Sequence, residues 1–159
     1  FAAALLALPV LGVRALEPAA APVLLTISGN LQHPNAGRVA QFDRAMLAGL
    51  PQHSYSARTP WYGMKRKFTG PLLRDVLAAV GARGALLRCT AVNDYVVDIP
   101  LQDVEQHDVM LVLLLDDKPV AVRDKGPLFI VYPFHTSAAL RTTVYYSRSA
   151  WQLTGIQVK

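Results

Sequence analysis

The residue types that most often carry out chemistry are few and widely spaced in this chain. Its histidines, His33, His53, His107 and His135, have no histidine partner four residues away and no C-x-x-C neighbour. A metal site would have to be assembled by the fold alone, so we expect no metal and interpret these histidines as solvated or core side chains. The single cysteine, Cys89, stands in the apolar stretch LLRCTAV, which favours a buried structural thiol over a reactive one.

Short catalytic motifs and a nucleic-acid stripe are also absent from the sequence. It contains no G-x-S-x-G, H-E-x-x-H, P-loop or G-x-G-x-x-G pattern, so nothing local indicates a serine hydrolase, a zinc protease or a nucleotide-binding protein. Sixteen basic and eleven acidic residues give a formal charge of +5, and the basic residues are spread along the chain. Their one tight run, Lys65 to Lys67, is interpreted as a solvated turn, or else as a surface for a partner or for anionic lipid.

The first residues differ from the rest. The chain has 159 residues, 52% hydrophobic and 17% charged, values typical of one globular domain. Residues 1–13 form an apolar run, followed by Arg14, that is too short to cross a hydrocarbon core as a helix. We interpret residues 1–21 as a secretory signal, cleaved between Leu16 and Pro22, and residues 22–159 as an exported, periplasmic domain. A buried N-terminal helix and a retained membrane anchor are the alternatives.

Strands outnumber helices among the elements that must position any site. Asp43 is a predicted N-cap for a short helix at residues 42–47, and a second helix is predicted from Pro71, in its first turn, to Gly81, as a left-handed cap. Residues 116–118 suit a hairpin turn. The predicted strands cover residues 23–28, 53–58, 86–92, 95–99, 109–115, 120–122, 128–132 and 153–158. This pattern predicts an α+β fold: a single compact domain with a mixed or antiparallel sheet and a few short helices.

Six short landmarks follow one another along the chain. They are Thr59-Pro60-Trp61, the run FTGPLLRDVL at residues 68–77, Asn93-Asp94-Tyr95 followed by Ile99-Pro100-Leu101, Lys125-Gly126-Pro127-Leu128, Tyr132-Pro133, and Trp151-Gln152-Leu153. Their order resembles the molybdopterin-binding domain of the sulfite oxidase family, and its small exported bacterial members in particular. The resemblance covers roughly residues 23–159 and implies the α+β fold of that domain.

The resemblance also implies where a molybdenum site would lie. In the family, a tyrosine matched here by Tyr95 reaches the substrate side of the metal, and a cysteine a few residues before the tryptophan landmark binds it. The matching stretch, residues 54–59, reads SYSART, and Cys89 lies downstream of the matching position. Because a hydroxyl or methyl group cannot replace a soft thiolate, we expect no ordinary molybdenum oxidase chemistry. Phe129 stands where relatives often place an arginine, which removes one contact for a cofactor phosphate.

Small members of the family that lack this cysteine resemble exported pterin-binding proteins that control membrane-bound cyclic-di-GMP enzymes through their periplasmic domains. The resemblance therefore implies a pterin-binding protein that is not catalytic and that regulates such a membrane signalling partner. Two alternatives stay open at this point. One is a periplasmic molybdopterin-dependent oxidoreductase, and the other is a structural or interaction domain.

A pterin site needs aromatic faces for stacking and polar groups that read the aminopyrimidinone edge. The candidate faces are Trp61, Tyr62, Tyr95 and Trp151. The candidate edge readers are Asn93 and Asp94. The candidates for a polar tail or phosphate are Arg58, Arg123, Lys125 and Arg148.

Each of these residue types also has a purely structural interpretation. The two tryptophans would equally suit the core, and the Asn93-Asp94 pair would suit an Asx turn between strands. Tyr95 alternates with Val97 and so also suits an inward-facing strand position.

Overall fold

The computed structural model describes residues 15–159, and most of the predicted signal segment, residues 1–14, lies outside the described residues. Over the described range the elements are β1 (Leu25–Gly29), β2 (Ala40–Phe42), α1 (Arg44–Ala48), β3 (Gln52–Ala57), β4 (Arg66–Pro71), α2 (Leu73–Ala79), β5 (Leu86–Ala91), β6 (Val96–Pro100), α3 (Leu101–Gln106), β7 (Met110–Val112), β8 (Leu114–Leu115), β9 (Lys118–Pro119), β10 (Phe129–Val131), α4 (Thr143–Arg148) and β11 (Leu153–Val158). Within residues 15–159 no helix has the length and hydropathy needed to span a membrane.

The largest sheet has five strands in the order β2-β1-β11-β5-β6. The last strand of the chain, β11, pairs parallel with β1 and antiparallel with β5, and the other pairs are antiparallel, so the sheet is mixed. This closure brings the residues just before β11 beside the turn between β5 and β6. The predicted α+β class with a mixed sheet is confirmed.

Two smaller sheets pack on the same core. One has the order β3-β4-β8-β9 and the other pairs β10 with β7, all antiparallel. The main chain of β4 approaches that of β7 closely, because a Cβ on Gly70 would lie 2.0 Å from the Leu111 carbonyl oxygen. The rings of Phe68 and Phe129 meet edge to face across this junction, with centroids 5.9 Å apart, and both are fully buried.

Several sequence predictions are confirmed in detail. The strand at residues 153–158 has the predicted bounds, and the Asp43 carboxylate caps α1 by accepting from the Met46 N–H at 2.9 Å. Gly81 has the predicted left-handed backbone, with φ of 60°. Asp116 and Asp117 both have positive φ in the turn between β8 and β9, as a tight hairpin requires.

Other element predictions are wrong, and proline accounts for two of them. Pro71 ends β4 instead of opening a helix, and α2 begins at Leu73. Residues 120–122 are not a strand: β9 stops at Pro119, which has no N–H to continue the ladder, and Val122 opens a 3-10 turn with its side chain 58% exposed. The predicted strand at 109–115 divides into β7 and β8, which pair with different partners.

The prediction for the basic run is also wrong. Arg66 and Lys67 are not in a solvated turn but open β4, where they form ion pairs with Asp116 and Asp117 of the neighbouring hairpin. The Asp116 carboxylate also accepts from the Lys67 main-chain N–H at 2.9 Å, and this bond, with Arg66, lowers its pKa. Two of the three charges are therefore paired locally, and over residues 15–159 Lys65 is the member of the run that forms no ion pair.

Candidate functional site

A cavity of about 290 Å³ lies between the turn that joins β5 to β6, helix α4 and the residues just before β11. We call it the neutral cavity, because none of its lining side chains is charged: Ala91, Asn93, Tyr95, Tyr146, Ser147, Ser149, Trp151 and Gln152. Its polar and stacking groups are the aromatic rings of two tyrosines and a tryptophan, the tyrosine hydroxyls, two side-chain amides and two serine hydroxyls. Three of the residues predicted from the sequence, Asn93, Tyr95 and Trp151, meet in it.

A tight turn presents the first two of these residues. Asp94 takes a left-handed conformation with φ of 61°, and its N–H donates to the Ala91 carbonyl at 3.1 Å. The Asn93 side-chain oxygen accepts from the Tyr95 N–H at 3.3 Å, so the predicted Asx turn is present, and Asn93 also lines the cavity. Tyr95 is 50% exposed rather than inward-facing, so its ring is accessible to a ligand.

Trp151 is held at the opposite wall through the residue that follows it. The Gln152 N–H donates to the Lys125 carbonyl at 2.9 Å, and its carbonyl accepts from the Val92 N–H at 3.0 Å. Its side-chain amide donates to the Val122 carbonyl at 2.8 Å. These bonds fix the backbone on both sides of the cavity mouth, and Trp151 remains 42% exposed there.

Helix α4 contributes the third wall. Ser147 donates to the Thr143 carbonyl at 2.8 Å and Ser149 donates to the Tyr145 carbonyl at 3.0 Å. Because each hydroxyl already donates its proton to a main-chain carbonyl, its oxygen is left as an acceptor for a ligand N–H. The serines therefore present acceptors to the cavity, beside the ring of Tyr146.

An aromatic and cationic cluster supports Trp151 from behind. The Trp151 ring lies 5.6 Å from the Trp61 ring, edge to face, and 4.5 Å from the Lys125 ammonium nitrogen. The same ammonium lies 4.5 Å from the Tyr62 ring. Burial and the nearby Arg66 guanidinium lower the pKa of Lys125. Lys125 is therefore a support for two aromatic rings here, through cation–π contacts.

Two buried polar atoms near this cluster have no hydrogen-bond partner within the described part of the chain. They are the hydroxyl oxygen of Thr59 and the indole nitrogen of Trp61, both on the loop between β3 and β4. Thr59 is only 7% exposed. Because buried polar side-chain atoms are nearly always paired, this loop has hydrogen-bonding capacity that the described residues do not use.

A second cavity of about 320 Å³ lies where β3 ends. We call it the basic cavity, because its lining contains three cations, a histidine and no carboxylate: Ser56, Ala57, Arg58, Lys65, Phe134, His135 and Arg141. Arg141 is held in place by donating to the Phe134 carbonyl at 2.9 Å. Arg58, predicted to contact a ligand tail, lies here and not in the neutral cavity.

The remaining predicted site residues lie around the neutral cavity without lining it. Tyr62 and Lys125 belong to the cluster behind Trp151, and Asp94 is at the exposed tip of its turn. Arg123 is exposed in the 3-10 turn at Val122–Asp124. The Arg148 guanidinium lies over the Tyr145 ring of the same helix and donates to the Asp103 carboxylate at 2.8 Å. That carboxylate also accepts from the Tyr132 hydroxyl at 2.7 Å.

Sequence reasoning missed the contribution of α4. Tyr146, Ser147 and Ser149 line the neutral cavity, yet no helix was predicted at residues 143–148. The six-residue helix has no buried side chain, so no apolar period marks it. The one local signal is Thr142, a residue type that favours helix N-caps, although its side chain makes no capping bond.

The donor atoms present do not fit a molybdenum ion. Cys89 lies in the middle of β5, opposite Val97 and Ile156, is 1% exposed and is not among the residues that line either cavity. Burial, with a smaller effect of Asp98, raises the pKa of its thiol to about 12, so it stays protonated. Ala57, at the end of β3, offers only a methyl group to the basic cavity. Within residues 15–159 no three histidine, cysteine or acidic side chains cluster as metal ligands.

Comparison with known proteins identifies the family. No curated protein matches the chain. The family model described as the oxidoreductase molybdopterin binding domain matches residues 25–141. The matched range begins at β1, includes the loop between β3 and β4 and the turn between β5 and β6, and ends before α4 and Trp151. Since this match covers most of the chain, the resemblance to the sulfite oxidase-type domain is confirmed: the chain belongs to the oxidoreductase molybdopterin binding domain family.

Proposed function

We propose that this chain is an exported pterin-binding protein and that the neutral cavity holds the pterin ring. The observation that carries the proposal is the composition of that cavity, whose lining combines stacking faces and polar edges with no charged side chain. A pterin is a flat, uncharged bicycle with donors and acceptors along one edge, so it matches such a lining. A volume of about 290 Å³ lies near the lower end of the range for small-molecule sites, which suits a compact ligand.

Different side chains of the neutral cavity would contact the face and the edge of the pterin ring. Trp151 and Tyr95 offer faces on which the ring can stack. The Asn93 and Gln152 amides and the serine acceptors of α4 can pair with the ring amino group and N–H groups. Molybdopterin, the cofactor of the family, is itself a pterin, so the proposed ligand belongs to the family's ligand class. The metal is not part of the proposal, because the chain lacks a thiolate donor for it.

A molybdopterin-dependent oxidoreductase is the second candidate, because the family is defined by that cofactor. It would need a metal ligand other than the cysteine expected before Trp61, since the thiol of Cys89 is buried in β5. A purely structural domain is the third, and the open cavity beside Asn93 and Trp151 argues against it. We therefore favour binding over catalysis.

The proposal includes a signalling partner: the periplasmic domain of a membrane-bound cyclic-di-GMP enzyme. Support comes from exposed apolar side chains at and next to the neutral cavity. Tyr95 and Trp151 line it and are 50% and 42% exposed, and Val92 and Val96, which adjoin lining residues in sequence, are 57% and 47% exposed. A ligand stacked on these rings would change which apolar surface is presented, and exposed apolar patches commonly bind proteins. The test is whether saturating pterin changes the affinity of the purified chain for such a domain by about tenfold, while equal affinities would contradict the signalling part.

Pterin binding itself is tested by calorimetric titration with 6-hydroxymethylpterin. We expect one binding event per chain, weakened by about tenfold in Trp151→Ala and in Asn93→Ala, since each loses one stacking or hydrogen-bonding contact. Val144→Ala is the matched control, because Val144 lies on α4, is 53% exposed and does not line the cavity. No heat of binding, or equal affinities in all four proteins, would contradict the proposal.

A further inference from the structure

The structure points to Trp61 as a partition between the two cavities, and we infer that it restricts the neutral cavity to pterins whose side chain carries no negative charge. The inference rests on the proposed function and adds a specificity-determining residue to it. Trp61 does not appear in the lining of either cavity, so its role follows from its position between them.

The ring contacts of Trp61 place it at this boundary. On one side it meets Tyr146 and Trp151, which line the neutral cavity, with centroids 5.9 Å and 5.6 Å away. On the other side it meets Phe134, which lines the basic cavity, at 6.1 Å. All three contacts are edge to face. Phe134 and Tyr146 also contact each other, with ring centroids 4.9 Å apart, so the indole completes a wall of rings between the two linings.

Charge differs sharply across this boundary. The neutral cavity has no charged lining residue, whereas Arg58, Lys65 and Arg141 line the basic cavity. Over residues 15–159 none of these three cations forms an ion pair. An anionic side chain on a pterin would find no charged residue in the lining of the neutral cavity, because the nearby Lys125 ammonium lies behind Trp151 against two aromatic rings. The three cations of the basic cavity lie beyond the indole.

The indole is held only by packing. Its nitrogen is buried and has no hydrogen-bond partner among residues 15–159, and the same holds for the hydroxyl of Thr59 on the same loop. Replacing the ring therefore breaks no hydrogen bond of the side chain. It would open a gap beside the Phe134–Tyr146 contact, through which a ligand tail in the neutral cavity could approach the cations of the basic cavity.

The test compares two probes that differ only in the tail, 6-hydroxymethylpterin and its phosphate ester. We expect the wild-type chain to prefer the uncharged probe by about tenfold, because the phosphate has no partner in the neutral cavity. Trp61→Ala should remove or reverse that preference, and Trp61→Leu should reduce it if the alanine variant does not fold. Trp61→Phe keeps an aromatic ring at the boundary and should retain the wild-type preference.

Lys65→Gln supplies a second, independent readout. With Trp61 intact this change should leave the affinity for both probes within about twofold, and in the Trp61→Ala background it should weaken the phosphate ester by about fivefold. Inorganic phosphate should compete with the ester only in the Trp61→Ala protein, which separates binding of the tail from binding of the free ion.

The outcomes separate the two proposals. A wild-type chain that binds neither probe contradicts the proposed function and the partition together. A wild-type chain that binds the uncharged probe, with the same preference in folded Trp61→Ala or Trp61→Leu, contradicts the partition alone. A loss of more than fivefold in the single variant Lys65→Gln also contradicts it, because the basic cavity would then already contact the ligand.

Discussion

Trp151 shows how single residues serve both the fold and the candidate site. It lines the neutral cavity, packs against the Trp61 ring and supports a cation–π contact with Lys125. Asn93 likewise closes its own turn through the Tyr95 N–H and still lines the cavity. For these residues the structural and functional interpretations of the sequence are therefore compatible rather than exclusive.

The role of a residue could be predicted from the sequence where its partners are close to it along the chain. The Asp43 cap and the Asn93 turn depend on neighbours within three residues, so the sequence indicates both. The separation of Arg58 from Trp151 depends on how β3 and β11 lie in different sheets, which no local pattern encodes. The pairing of Arg148 with Asp103 is of the same kind, since 45 residues separate the partners.

Asp43 should make stability sensitive to acid. Its carboxylate accepts from the main-chain N–H groups of Met46, Ala20 and Ala21, and these bonds lower its pKa. A lowered folded-state pKa stabilises the fold above the unfolded-state value of about 4 and stops doing so as the pH falls through the folded-state value. We expect the urea concentration at the unfolding midpoint to decrease as the pH is lowered below about 4. In Asp43→Asn that decrease should be less steep.

The control for that experiment is Asp75→Asn, whose side chain accepts no hydrogen bond over the described residues. It should follow the wild-type midpoints from pH 3 to 7. A profile for Asp43→Asn that coincides with the wild-type profile would show that the cap does not contribute to the acid response.

At the scale of elements, β4 connects the site loop to the core. It follows the loop that carries Thr59 and Trp61, pairs with β3 along its whole length and leads directly into α2. The strand was missed from sequence because its first two residues are charged and it contains both Gly70 and Pro71, which weaken a strand signal. β1, β5 and β11, which contain several buried apolar residues and no proline, were predicted to within two residues.

Gly70 should be irreplaceable in β4. A Cβ there would lie 2.0 Å from the Leu111 carbonyl oxygen, a main-chain atom that cannot move without displacing β7. We expect Gly70→Ala to cost about 3 kcal/mol of unfolding free energy or more, seen as a fall in Tm of roughly 10 °C. Gly63→Ala is the matched control, since no heavy atom lies within 4 Å of its Cβ position. Equal Tm values for the two variants would contradict the close approach of β4 and β7.

At the scale of the whole molecule, the chain keeps the fold of its family without the thiolate that the family's metal requires. The family was predicted from the order of six short landmarks, and the α+β domain with a mixed or antiparallel sheet was predicted from the pattern of strands and helices. Their physical basis is that tight turns and helix starts need glycine, proline and asparagine at fixed places, so these residues mark the fold even where the site has changed. Helix α4 contains none of these residue types, so its contribution to the cavity wall could not be predicted from the sequence.

The central claim is that the chain binds an organic pterin without molybdenum. It is tested most directly by purifying the protein from its native source and measuring bound pterin by fluorescence and mass spectrometry and bound molybdenum by elemental analysis. We predict a fluorescent pterin approaching one per chain, with molybdenum far below that ratio. Stoichiometric molybdenum, together with reductase activity toward a dye, would contradict the account.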